Sequence, residues 1–351
     1  MSRRTLVRIA GVAISLACLA YVSVRAARVW DQAGPSLLEA DTFVRLGLAL
    51  IPMTLAYGAA ALAWVALLRS FGVHAAPLST SGAYLAAQVG KYLPGNVGHY
   101  VGRVVLGTRV GLPASTVTLA MTVEFGLLIA IAALLGLPML QFTLARLGAA
   151  WHAPPSTQLL VLAACGVVIV MVLLVIARWR PALLHSLKQW AMQLRAPLGS
   201  ASAVGRLALS LCLSMAVFGL SSCALLLLGE LPQDVGFEML RRVVSLYSVA
   251  WIVGALTPGA PGGIGVREAI LIEGLTPLWG AGEAVAGALA FRVVTVATDV
   301  IALGLGVAAM KGAARGEVSP PSDVARRPLP PATDACALPR AAHDSPPRDP
   351  R

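Results

Sequence analysis

Residues 90–103 read GKYLPGNVGHYVGR, and residues 254–267 read GALTPGAPGGIGVR. The second stretch follows the first at a constant offset of 164 residues, without a gap. The matched pairs are Gly90 and Gly254, Pro94 and Pro258, Gly95 and Gly259, Gly98 and Gly262, and Arg103 and Arg267. The chain therefore contains an internal repeat built on glycine, proline and arginine.

Both copies of the repeat lie in strongly apolar sequence. Proline and clustered glycines interrupt a helix, because proline removes an N–H donor and glycine adds backbone freedom. Lipid cannot satisfy the freed backbone groups, so such breaks are tolerated at membrane depth only against protein or a water-filled cavity. Paired breaks in the two halves of a chain are typical of a transporter-like binding site.

Composition places the chain in the membrane. Of its 351 residues, 58% are hydrophobic and 12% are charged, and the mean hydropathy is +0.79, which excludes an ordinary soluble domain. The net charge of +11 comes mainly from the termini and from between apolar spans, so no nucleic-acid partner is expected. The five cysteines and five histidines are scattered, so we expect no metal site and no cofactor.

The hydropathy pattern predicts an all-α polytopic bundle with six full spans. They cover about residues 6–24, 43–68, 115–137, 157–177, 207–228 and 283–310. The two repeat copies, about 79–112 and 240–275, are predicted as re-entrant broken-helix elements, because the arm before the first break is too short to cross about 30 Å of hydrocarbon. The stretches 79–93 and 240–257 are alternatively counted as full crossings.

Loop charges predict the orientation. Arg3, Arg4 and Arg8 favour a cytoplasmic N-terminus. An even number of spans returns the C-terminus to the cytoplasmic side, and the membrane is predicted to be the plasma membrane. Three full spans separate the two copies, so the repeat is predicted to be inverted. Residues 1–312 form the predicted membrane domain, and residues 313–351 are expected to be a disordered tail.

The segments KYLPGNVGHYVGR, from Lys91, and PGAPGGIGVRE, from Pro258, resemble the lysylphosphatidylglycerol synthase transmembrane family, also called flippase-like. The resemblance covers about residues 5–312. It implies a polytopic bundle, and in two-domain members this region is credited with moving lipid between leaflets. The 39 residues after 312 contain no soluble acyltransferase domain, so aminoacyl transfer to lipid is not expected here.

The repeat supplies the candidate binding residues. A guanidinium can bind phosphate through two hydrogen bonds, so Arg103 and Arg267 are predicted lipid phosphate ligands. The alternative is that each arginine caps carbonyls of its own broken helix or extends to the membrane interface. The further polar candidates for a head-group cavity are Lys91, Asn96, His99, Arg109 and Glu268.

The breaks themselves supply the candidate hinges. These are Gly90, Pro94, Gly95, Gly98, Gly254, Pro258, Gly259, Gly262, Gly263 and Gly265. The glycines of both copies permit positive φ and close approach of the backbone, and a side chain at Gly262, Gly263 or Gly265 is expected to obstruct packing. Small residues also serve ordinary helix packing, so this pattern alone does not separate a transporter from a scaffold.

Three ionisable residues, Glu124, Arg292 and Asp299, fall inside predicted spans. Charged groups there are costly and indicate either function or a structural partner. A salt bridge between Glu124 and Arg292 is the structural interpretation. Asp299, on the same helix face as Arg292, is alternatively a carrier of a coupling proton.

These observations predict translocation of a phospholipid or a lipid-linked envelope precursor, without covalent chemistry. A scaffold partner of an envelope-lipid synthase is the second hypothesis. A membrane transferase is the third, but no DxD or comparable carboxylate pair supports it, so we do not expect an enzyme.

Overall fold

The computed structural model describes residues 3–29, 40–93, 98–146, 200–229, 236–257 and 260–316. It divides into a unit of residues Met1–Ala313 and a second unit, Ala314–Arg351, of which only the first three residues are described. All regular secondary structure in the described residues is helical. The predicted all-α membrane bundle is therefore confirmed.

The helices of the described residues are as follows in chain order. They are α1 (Arg3–Arg28), α2 (Ala40–Ser70), α3 (Pro77–Ala87), a first 3₁₀ turn (Gln88–Tyr92), α4 (Gly98–Arg109), α5 (Ala114–Arg146), α6 (Ala201–Leu226), α7 (Phe237–Leu256), a second 3₁₀ turn (Pro261–Gly263), α8 (Val266–Trp279) and α9 (Ala281–Gly316).

Five of these helices are long and apolar enough to cross a membrane, namely α2, α5 as far as Met139, α6, α7 and α9 as far as Ala313. Helices α2, α5, α6 and α9 coincide with four predicted spans. Helix α7 falls within the stretch predicted to be re-entrant, but its 20 residues match the alternative of a full crossing. The re-entrant elements and their inversion stay predictions. The predicted span 157–177 lies outside the described residues.

Helices α2 and α6 pack along their length through small side chains. Buried Ala49, Ala56 and Ala63 recur every seventh residue of α2 and form a stripe. Because small residues let two backbones approach, polar groups reach across, and Ser210 Oγ of α6 donates to the Ala63 carbonyl at 2.9 Å. This pair forms one side of the bundle's interior.

Helices α5 and α7 join where Pro138 interrupts α5. Proline lacks an N–H and disturbs the preceding turn, so nearby backbone groups need other partners. Ser245 Oγ on α7 donates to the Gly136 carbonyl at 3.0 Å and accepts from the Met139 N–H at 2.7 Å. The serine hydroxyl therefore satisfies the interrupted helix from its neighbour.

The two repeat copies have the same local order of a helix, a 3₁₀ turn beside the break, and a second helix. The first copy is α3, its turn and α4, and the second is α7, its turn and α8. Gly262, Gly263 and Gly265 have positive φ of 58°, 72° and 82°, whereas the described repeat glycines Gly90, Gly98 and Gly254 do not have positive φ. A Cβ at Gly262 would make only an ordinary contact, 3.4 Å from Tyr92, so crowding is not the reason for glycine there. The constraint at that position is backbone conformation.

Helix α1 lies against α8 at the edge of the bundle. Tyr21 donates its hydroxyl to the Glu273 carboxylate, and Arg25 Nη2 lies 3.4 Å from the same carboxylate. Glu273 is largely exposed, with a side-chain exposure of 61%, so this ion pair contributes little to stability.

Candidate functional site

A cavity of about 550 Å³ lies among helices α2 to α9, within the size range of small-molecule and cofactor sites. Each helix from α2 to α7 contributes an aromatic ring to its wall: Tyr57, Tyr84, Tyr100, Phe125, Phe218 and Trp251. Threonine and serine hydroxyl groups from α5, α6 and α9 also line it. The cavity is therefore mainly apolar, with scattered polar groups.

The charged part of the wall comes from both repeat copies. Lys91 and Arg103 belong to the first copy, Arg267 belongs to the second, and Glu124 comes from α5. The structure thus brings the two equivalent arginines to one cavity, although the sequence pattern alone gave only their correspondence.

Arg103 is buried and neutralised. Its side chain is 6% exposed and its Nη1 forms an ion pair with Glu124. The guanidinium also lies over the rings of Tyr84 and Trp64, with centroids 3.9 Å and 5.1 Å away. Its Nε is buried without a hydrogen-bond partner. Arg103 therefore uses its charge on the protein itself, which favours a structural role.

The partner of Glu124 corrects one prediction. The sequence placed Glu124 and Arg292 in spans that could form a salt bridge, but Glu124 pairs with Arg103. Arg292 instead lies 3.4 Å from Glu268 on α8. The prediction was wrong because hydropathy finds spans and does not determine which helix faces point at each other.

Arg267 has a different environment. The side chain of Arg267 packs closely against Gly254 and Gly263. A Cβ added at Gly254 would lie 2.6 Å from Arg267 Cγ, and one added at Gly263 would lie 3.0 Å from Arg267 Nε. Its Nε is buried without a partner, and among the described residues no carboxylate lies within salt-bridge distance of it. Arg267 therefore brings an uncompensated positive charge to the cavity wall.

Asp299 on α9 is the centre of a buried polar network. Its carboxylate accepts hydrogen bonds from Tyr57 Oη at 2.6 Å, Lys91 Nζ at 2.8 Å and Tyr92 Oη at 2.5 Å. The Lys91 ammonium also donates to Tyr57 Oη at 2.8 Å. Lys91 lines the cavity, but its charge is balanced by the carboxylate of Asp299, which is 1% exposed.

The second break is also attached to α9. Arg292 Nη1 donates to the Gly262 carbonyl at 3.4 Å and pairs with Glu268 at the same distance. Glu268 Oε2 in turn accepts from the Gly265 N–H at 2.7 Å, which caps the first turn of α8. Glu268 thus uses its carboxylate on α9 and on its own helix start.

The two 3₁₀ turns, Gln88–Tyr92 and Pro261–Gly263, contact each other beside the cavity. An added Cβ on Gly262 would lie 3.4 Å from Tyr92 and 3.7 Å from Lys91. Within the first break, a Cβ on Gly90 would lie 2.7 Å from the Gly98 backbone, so only glycine permits that approach. The two 3₁₀ turns therefore lie side by side at the cavity wall.

Burial sets the ionisation of two side chains outside the five candidate spans. Burial lowers the pKa of Lys91 to about 8, although the attraction of Asp299 opposes this shift. Burial, aided by repulsion from Arg103 and Lys91, lowers the pKa of His99 to about 3. His99 is therefore neutral at physiological pH and adds no charge to the cavity.

The remaining sequence candidates separate by position. Arg109 ends α4, is exposed and does not line the cavity, so its predicted head-group contact gains no support from this geometry. Asn96, Pro94, Gly95, Pro258 and Gly259 lie outside the described residues. The sequence analysis did not identify Tyr57 and Tyr92 as site residues, because a hydropathy pattern does not distinguish tyrosine from other residues of a span. The position of Tyr92 next to Lys91 was the one sequence feature that could have indicated its role.

Comparison with known proteins agrees with this architecture. A family model described as the lysylphosphatidylglycerol synthase TM region matches residues 8–302. A comparison with curated proteins found no significant match. The match spans most of the chain, and the described residues include five apolar helices of membrane-crossing length, so this is a multi-pass membrane protein. The chain belongs to the lysylphosphatidylglycerol synthase TM region family.

Proposed function

We propose that this protein translocates a phospholipid or a lipid-linked envelope precursor between the leaflets of the plasma membrane. The observation that carries the proposal is Arg267, which lies on the wall of a cavity among apolar helices and has no carboxylate partner among the described residues. Arg267 is partly buried, and an ionisable group in the interior of a membrane protein is by default a candidate for function. A lipid phosphate supplies the missing anion.

The rest of the cavity suits a lipid head group. The aromatic and aliphatic wall accepts apolar parts of the ligand, and the hydroxyl groups on α5 and α6 offer hydrogen bonds. Arg267 binds the phosphate through its guanidinium, which has a geometry that matches two phosphate oxygens. No bond of the lipid is broken, so the protein acts as a transporter without cofactor or covalent chemistry.

Movement between leaflets requires a change at the breaks. Both breaks contact each other, and each is bound to α9, the first through Asp299 and the second through Arg292. In the proposed mechanism, the broken elements move relative to the rest of the bundle, so that the cavity opens to one leaflet and then to the other. The N-terminus and C-terminus lie in the cytoplasm in this arrangement.

Lipid scrambling in proteoliposomes tests the proposal. Purified protein is reconstituted with fluorescent phosphatidylglycerol or labelled polyprenyl phosphate, and dithionite quenching or enzymatic access measures movement. Arg267→Ala is expected to slow movement by about tenfold or more, because a hydrogen-bonded charged partner of the phosphate is lost.

Arg241→Ala is the matched control. Arg241 is 40% exposed and pairs only with Glu238 on its own helix, so its removal should leave movement unchanged. No movement with the native protein across both lipid classes would overturn the proposal and favour a scaffold for an envelope-lipid synthase. Equal movement by native protein and Arg267→Ala would remove Arg267 from the mechanism.

A further inference from the structure

Every carboxylate at or behind the cavity wall is already balanced, among the described residues. Glu124 pairs with Arg103. Asp299 accepts from Lys91 and from two tyrosine hydroxyl groups. Glu268 pairs with Arg292 and accepts a backbone N–H. No carboxylate is therefore left to bind a positively charged ligand.

The cations do not balance in the same way. Lys91 and Arg103 each have one of these carboxylates, and His99 is neutral. Among the described residues, Arg267 has no carboxylate partner. The described part of the cavity thus carries one uncompensated positive charge, in an environment where a second like charge is strongly unfavourable.

We propose that the cavity selects a head group with one phosphodiester anion and no ammonium group, and that Arg267 determines this selectivity. This inference rests on the proposed function and names its substrate class. A phosphodiester such as that of phosphatidylglycerol carries a single negative charge and matches the single arginine.

Other head groups fit this charge less well. An aminoacylated head group, such as lysylphosphatidylglycerol, brings two ammonium groups beside Arg267 without a carboxylate to receive them. A zwitterionic head group brings one. A phosphate monoester, as in polyprenyl phosphate, carries about 1.5 to 2 negative charges at neutral pH and exceeds what one arginine balances.

Lipid competition measures this selectivity without requiring transport. The full-length protein is purified in micelles with equal amounts of phosphatidylglycerol, phosphatidylcholine, lysylphosphatidylglycerol and polyprenyl phosphate, and native mass spectrometry quantifies bound lipid. Phosphatidylglycerol should exceed lysylphosphatidylglycerol by about tenfold or more, since like charges in an apolar site repel strongly. Equal binding, or preference for either lysylphosphatidylglycerol or polyprenyl phosphate, would overturn the inference.

Variants at Arg267 separate selectivity from folding. Arg267→Lys should keep the preference, and Arg267→Gln should abolish it. Arg267→Glu should reverse it toward lysylphosphatidylglycerol, a gain that a damaged fold would not produce. Arg241→Ala, on the surface of α7, should behave as the native protein. Unchanged preference in Arg267→Gln contradicts the assignment of this residue.

Transport and selectivity fail in different ways. Selective binding without scrambling would contradict the proposed function and leave the charge selection intact. Scrambling of all four lipids at one rate, with no binding preference, would support the proposed function and contradict the charge selection.

Discussion

At the residue scale, the buried carboxylates of the site each bind a cation from another segment of the bundle. Glu124, Arg292 and Asp299 were found because ionisable residues are rare in apolar spans. Their partners depend on how helices rotate about their axes, and α5 turns Glu124 toward Arg103 of the first repeat. The hydroxyl groups of Tyr57 and Tyr92, which complete the Asp299 network, leave no mark on hydropathy.

Arg103 and Glu124 should affect stability mainly through each other, so that losing one charge costs more than losing both. Glu124→Gln leaves a buried guanidinium without its counter-charge and is expected to destabilise the protein by about 3 to 5 kcal/mol. The double variant Arg103→Met, Glu124→Leu removes both charges and should be less destabilised than the single variant. Thermal unfolding in detergent, followed by tryptophan fluorescence, measures both. A double variant that is less stable than Glu124→Gln would show that Arg103 stabilises the protein without Glu124, and would contradict the prediction that the two charges matter only as a pair.

At the element scale, helix boundaries followed from sequence more closely than helix roles. The predicted spans 43–68 and 207–228 lie inside or within a few residues of α2 and α6. The sequence predicts one re-entrant element over 240–275, with 240–257 as an alternative full crossing, and the structure has a 20-residue α7 followed by a separate α8. Arg241, Arg242 and two serines lowered its apparent hydropathy, but Ser245 serves a neighbouring helix.

Helix α9 should stabilise the two breaks independently. Asp299→Asn removes the counter-charge of Lys91, so the first turn, Gln88–Tyr92, should exchange its amide hydrogens faster while the second turn is unchanged. Arg292→Met removes the bonds to Glu268 and the Gly262 carbonyl, so Pro261–Gly263 should show the reciprocal effect.

Hydrogen exchange with mass spectrometry resolves these two segments, and each variant is the control for the other. Faster exchange at both turns in both variants would show that the breaks open as one unit.

At the scale of the whole molecule, the repeat found in sequence has a structural counterpart, because both copies place a broken segment and an arginine beside one cavity. Orientation is a different matter, since it depends on loop charge and not on helix packing. If the N-terminus is cytoplasmic and both copies are re-entrant, as the sequence predicts, the first repeat ends on the cytoplasmic side after α4 and the second ends outside after α8. An inverted repeat requires these opposite positions.

Thiol labelling decides the inversion. In a background without the five native cysteines, Thr108→Cys at the end of α4 and Ala281→Cys at the start of α9 each add one reactive site. A membrane-impermeant maleimide should label position 281 in intact cells and position 108 only in inside-out vesicles. Labelling of both positions from the same side would exclude an inverted repeat. In that case alternating exposure would lose its symmetry, and the two arginines would lie near one leaflet, where Arg267 could bind a lipid head group without delivering it across.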